Sequence, residues 1–98
     1  MTDAGISSAI TRVAVIGAGT MGWQIAARTA NSGRNVALYD AMDGAVERAL
    51  GKMRDELPQF LAETGKEWDV PGLIGRVRTA TSLEDAVAGA DLVIEAVR

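Results

Sequence analysis

The chain contains neither cysteine nor histidine. The first absence excludes a disulfide framework and thiolate chemistry. The second removes the commonest general base and metal ligand, so neither a catalytic residue nor a metal site is expected. An excess of basic charge is also missing: ten Lys and Arg stand against thirteen Asp and Glu, a net −3 at pH 7, and the cations are scattered along the chain. That balance offers no electrostatic footprint for nucleic acid or an anionic membrane. No apolar run approaches the ~20 residues of a membrane span. Met1 to Gly5 is polar and acidic rather than basic and then apolar, so the cytoplasm is the expected location. There is no internal repeat and no low-complexity segment. What remains is a 98-residue chain, 48% hydrophobic, with apolar material for one small core.

The informative stretch is Val13-Ala14-Val15-Ile16-Gly17-Ala18-Gly19-Thr20-Met21-Gly22, followed after a helical segment by Val36-Ala37-Leu38-Tyr39-Asp40. A glycine pattern alone is weak. Here it opens directly out of an apolar strand, and Asp40 lies 18 residues past Gly22, near the ~20-residue spacing of a dinucleotide-binding βαβ unit. Gly17 permits the tight turn leaving the strand, Gly19 lets the backbone approach a pyrophosphate, and Gly22 lets the helix pack closely on the sheet. The helix beginning near Thr20 aims its free N–H groups and the positive end of its dipole at the same place. Gly17, Ala18, Gly19, Thr20, Met21 and Gly22 are therefore the expected pyrophosphate loop. Asp40 is the expected acceptor for the adenine ribose hydroxyls. A 2′-phosphate would be repelled by Asp40, and no Lys or Arg within Ala41 to Val46 neutralises one, so NAD is favoured over NADP. The plainer role for Asp40 is a cap on the following helix, for which Asp43 serves equally well.

Along the chain, residues 1–10 read as a loose leader and 11–98 as one domain. Strands are expected at Arg12 to Ile16, Val36 to Asp40, Val77 to Ala80 and Asp91 to Val97. A first helix runs from Thr20 to Asn31, with Gly22, Ile25, Ala26 and Thr29 on its core face; Trp23 sits off that stripe and is expected to be covered by a neighbouring element rather than to face a partner. A second carries an apolar stripe of Val46, Ala49, Leu50, Met53, Leu57, Phe60 and Leu61, with a kink or a break expected at Pro58. Thr64 to Gly72 reads as a loop with Trp68 tucked beneath it, and Ser82 starts a short capped helix ending at Gly89. Strands alternating with helices predict an α/β fold: the N-terminal half of an NAD(P)-binding Rossmann fold, with a four-stranded parallel sheet in the order 3-2-1-4 and flanking helices. Ala96 and Val97, at the carboxyl end of the fourth strand, would border the cofactor.

Two later blocks narrow the reading: Thr79-Ala80-Thr81-Ser82-Leu83-Glu84-Asp85-Ala86 and Ala90-Asp91-Leu92-Val93-Ile94-Glu95-Ala96-Val97. With the glycine segment, Ile25-Ala26 and Leu38-Tyr39-Asp40, they resemble the NAD-binding domain of the 3-hydroxyacyl-CoA dehydrogenases over nearly the whole chain. The resemblance implies NAD as cofactor and hydride removal from C3 of an L-3-hydroxyacyl-CoA in a longer parent enzyme. It also implies a histidine held by a glutamate as base, with a serine and an asparagine at the substrate oxygen. Those residues fall past the fourth strand, so this chain is expected to grip the cofactor and to perform no chemistry. Family members use polar and basic groups of the second helix near CoA, whereas this helix offers Glu56 and Glu63 with Lys52 and Arg54, which read as a solvated face.

Two other classes share these features. A flavin-dependent or hydroxyisobutyrate-type oxidoreductase carries the same glycine turn, and a stand-alone nucleotide-binding module is the non-enzymatic alternative. The expected partners are NAD and copies of the same chain, because the apolar edge of the fourth strand, Leu92 to Val97, is a template for pairing.

Overall fold

The first strand, β1 (Arg12–Ile16), is β-branched at Val13, Val15 and Ile16, and its middle three residues are buried. The computed structural model describes residues 10–97; the leader expected over 1–10 lies, but for Ile10, outside them. After β1 come α1 (Thr20–Asn31), β2 (Asn35–Tyr39), α2 (Ala45–Thr64), α3 (Val70–Gly75), β3 (Val77–Thr79), α4 (Leu83–Val87) and β4 (Leu92–Glu95). All pairings are parallel and the strand order is β3-β2-β1-β4, as the alternation predicts. Arg12 aligns with Asn35, and Ile16 with both Tyr39 and Glu95. Three strands therefore end together at one edge, where ligands sit in open sheets.

The two faces of the sheet are unequal. One carries Val13, Val15, Val36 and Leu38 against Trp23, Ala26 and Ala30 of α1, Met53, Leu57 and Leu61 of α2, and Leu73 of α3. The other is small: Ala14 and Ala37 meet Ala80 and Ala86, with Ile16 and Tyr39 at the margin. The bulky face holds most of the buried apolar surface and so most of the hydrophobic stabilisation.

Several expectations are corrected. The core face of α1 is turned from the expected stripe: Trp23, Ala27 and Ala30 are buried with Gly22 and Ala26, while Ile25 and Thr29 are only half-buried. Trp23, 6% exposed, is covered by neighbouring elements as expected, because α2 and α3 both pack beside α1. Pro58 lies inside one continuous α2, so the break expected there is absent. Met53, Leu57 and Leu61 on both sides of it share one buried stripe, and Arg54, whose carbonyl loses the Pro58 partner, is exposed and open to water. Leu50 packs half-buried against the same core, whereas Phe60, 52% exposed, does not join the stripe. The expected loop contains the start of α3, capped by Asp69, whose Oδ1 accepts from Gly72 N at 3.1 Å, with Pro71 in the first turn. Trp68 packs half-buried against the core, as expected. Strands β3 and β4 stop one and two residues short of their expected ends.

Candidate functional site

Where β1 ends, Gly17 takes φ +111°, and a Cβ there would lie 2.9 Å from the Ala96 carbonyl. Only glycine combines that backbone with that approach. Gly17 N donates to the Tyr39 carbonyl at 2.7 Å, and Ala96 N donates to the Ile16 carbonyl at 2.7 Å, so the loop, β2 and the end of β4 are tied together. A Cβ on Gly22 would collide with the Gly17 carbonyl oxygen, which explains the second structural glycine. Gly19 differs from both. It is the N-cap of α1, in extended conformation, and a Cβ there would meet no atom within 4 Å. No side chain caps α1 and no acid sits in its first turn, so its leading N–H groups and dipole face open space.

Asp40 follows β2 directly. Its Oδ2 accepts from Ala18 N at 2.8 Å and its Oδ1 from Met42 N at 2.8 Å. One carboxylate thus holds the glycine loop and the turn into α2. It does not cap α2, and neither does Asp43: the N-cap is Gly44, φ +79°, without a side-chain bond. A carboxylate has about four acceptor positions, so each Asp40 oxygen keeps capacity for one more donor.

These groups face a cleft of about 590 Å³. Of the residues singled out from sequence, Gly17, Ala18, Gly19, Thr20, Asp40, Ala96 and Val97 line it. Met21 and Gly22 lie outside that lining: Met21 is 65% exposed and Gly22 is packed beneath the loop. The cleft also brings in Trp23, Met42, Ala45, Arg48, Ala49 and Lys52, which sequence reasoning missed. The helical spacing of Ala45, Arg48, Ala49 and Lys52 was the available signal, since it places all four on one side of α2. Lys52 Nζ lies 3.3 Å from Glu56 Oε2.

Two further acids brace the sheet away from the cleft. Asp91 Oδ2 accepts from Thr11 N at 2.9 Å, Arg12 N at 3.0 Å and Thr11 Oγ1 at 3.2 Å, joining the approach to β4 to the start of β1. The Thr11 and Arg12 backbone donors hold its carboxyl below the ordinary carboxylate value. Asp85 is held low by the Thr81 backbone N–H and then by the Arg78 guanidinium, 2.9 Å away.

A parallel sheet in this order, with a glycine loop, an uncapped helix and an acid converging at the carboxyl ends of its strands, defines the nucleotide-binding half of a doubly wound, Rossmann-type α/β domain. Residues 12–98 match the family described as 3-hydroxyacyl-CoA dehydrogenase, NAD binding domain, and the chain belongs to that family. It is 43% identical over 86 residues to 5-formyl-3-hydroxy-2-methylpyridine 4-carboxylate 5-dehydrogenase of Mesorhizobium japonicum, covering 88% of this chain and 27% of that protein. It is 39% identical over 90 residues to a probable 3-hydroxybutyryl-CoA dehydrogenase of Bacillus subtilis, covering 90% and 31%. The crystal structure of (S)-3-hydroxybutyryl-CoA dehydrogenase from Ralstonia eutropha superposes with a TM-score of 0.79 at 34% identity, over 91% of this chain and 31% of that one. The chain therefore spans about 30% of the length of such relatives.

Proposed function

We propose that this chain is the NAD-gripping segment of a cytoplasmic oxidoreductase that moves a hydride between NAD and an L-3-hydroxyacyl-CoA. The observation that carries the reading is the single cleft shared by the uncapped α1 N-terminus and the Asp40 carboxylate. The open space at Gly19 and the uncapped N–H groups suit a diphosphate, and the spare acceptor positions of Asp40 suit two ribose hydroxyls. Gly17 to Gly22 would hold the diphosphate, Gly22 by letting α1 close on the loop, while Ala96 and Val97 would border the nicotinamide side. Bound nicotinamide supplies the hydride chemistry; this chain binds and orients it. The family match and the hydroxybutyryl-CoA dehydrogenase relatives support the substrate class. Among the described residues no helix is long and apolar enough to cross a membrane.

A second substrate class has its own support. The relative at 43% identity is named for a pyridine carboxylate rather than a CoA ester, so a parent enzyme oxidising a carboxylated ring alcohol or aldehyde with the same cofactor segment is the alternative.

Calorimetric titration with NAD tests the cofactor reading. Asp40→Ala should weaken binding by about 1 to 3 kcal/mol through lost charge-assisted hydrogen bonds. Equal affinity in the variant and the unaltered chain would remove Asp40 from the site. Spectra of the protein purified with its native ligand should show no flavin bands.

A further inference from the structure

Helix α2 lays two cations along the cleft, Arg48 and Lys52, one turn apart. Their surroundings differ. Lys52 is paired with Glu56 at 3.3 Å, whereas among the described residues Arg48 has no carboxylate within ion-pair distance. The Arg48 guanidinium reaches back over the start of its own helix, where a Cβ built on Gly44 would lie 2.9 Å from Nη1. Gly44 closes the turn that Asp40 begins by accepting from Met42 N. An uncompensated guanidinium and the Asp40 carboxylate therefore line the same cleft.

Resting on the dinucleotide reading above, we infer that Arg48 is a latent specificity residue, placed to pair with a phosphate on the ribose 2′-oxygen. Discrimination against NADP then rests on Asp40 alone. The Asp40 charge repels a 2′-phosphate and its oxygens require hydroxyl donors. Arg48 presents the planar fork that suits a phosphate bidentately. Linear sequence hides it, because it lies eight residues past Asp40, beyond the short window in which a phosphate-neutralising cation is expected. The left-handed Gly44 and the first turn of α2 bring it to the cleft that Asp40 lines.

The test is calorimetric titration of NAD and of NADP into the unaltered chain, Asp40→Asn and Asp40→Ser, the last two with and without Arg48→Ala. Asparagine keeps the shape and one acceptor for the Ala18 or Met42 N–H; serine is the smaller control. The unaltered chain should prefer NAD. Asp40→Asn or Asp40→Ser should raise NADP affinity about tenfold, the worth of one charge-assisted contact. Adding Arg48→Ala should cancel that rise and lower NADP affinity at least about fivefold more than NAD affinity. Arg48→Glu in the otherwise unaltered chain leaves the Asp40 loop bonds in place and should also penalise NADP more than NAD, even if both Asp40 variants lose their fold. Equal losses for the two cofactors would make Arg48 a diphosphate or general contact and overturn the inference. So would folded Asp40 variants that gain nothing for NADP. No NAD binding by the unaltered chain would instead overturn the dinucleotide reading, and this inference with it.

Discussion

Three glycines in the loop after β1 carry three different physical demands. At Gly17 the demand is backbone conformation, at Gly22 it is the closeness of α1 to the Gly17 carbonyl, and at Gly19 the protein itself makes none. The consequence is a separation of stability from binding. Gly19→Val should leave the melting temperature and circular dichroism nearly unchanged while abolishing NAD binding, because its side chain would occupy the ligand's space. Gly22→Val should lower stability by about 1 to 3 kcal/mol or more through overpacking, read by urea denaturation. A Gly19 variant with full NAD affinity would show that the phosphate loop lies elsewhere. Asp91 and Asp85 supply a second prediction. Their folded carboxyls are lowered, so the stability they contribute is present above the unfolded value of 3.8 and is lost as pH falls from there through the folded values. Thermal melts from about pH 6 to about pH 3 should therefore show a loss that is shallower in the Asp85→Asn/Asp91→Asn double variant.

Among the elements, β1 and α1 have the bounds their residues announce, because strand and helix signals there are local: a β-branched run, then glycines, then an alternating helical face closed at Gly33. The break expected at Pro58 is absent for a tertiary reason. A proline inside an isolated helix ends it, yet α2 continues because Met53, Leu57 and Leu61 all gain burial against the same core. The proline remains unfavourable where it stands. Pro58→Ala should raise stability by about 1 to 2 kcal/mol, the ~3 kcal/mol propensity difference being offset by relaxed helix geometry and a freer unfolded chain. Unchanged urea midpoints would mean that the helix has already relieved the strain. Helix α3 was legible in part: Asp69 and Pro71 form a start signal, but six residues are too few for periodicity to separate helix from loop.

At the scale of the whole molecule, β4 is the weakly covered element. It pairs with β1 alone among the described strands, and Leu92 and Val93 are 42% and 46% exposed. Its free edge and apolar side chains invite pairing with another chain. The purified chain is expected to self-associate, with light scattering reporting more than one copy per particle, and Val93→Lys should shift it toward monomer. A monodisperse monomer at high concentration would count against pairing through this edge.

The sequence by itself determined the parallel α/β order, the glycine loop, the acid after the second strand and the absence of a histidine base. These depend on backbone sterics, residue chemistry and spacing within a few residues, which no distant contact alters. Tertiary structure alone decided which helices cover Trp23, that α2 runs unbroken through Pro58, and that Arg48 lines the same cleft as Asp40. The face a helix shows to a cleft is set by how it crosses the sheet and by which neighbours compete for the same apolar surface.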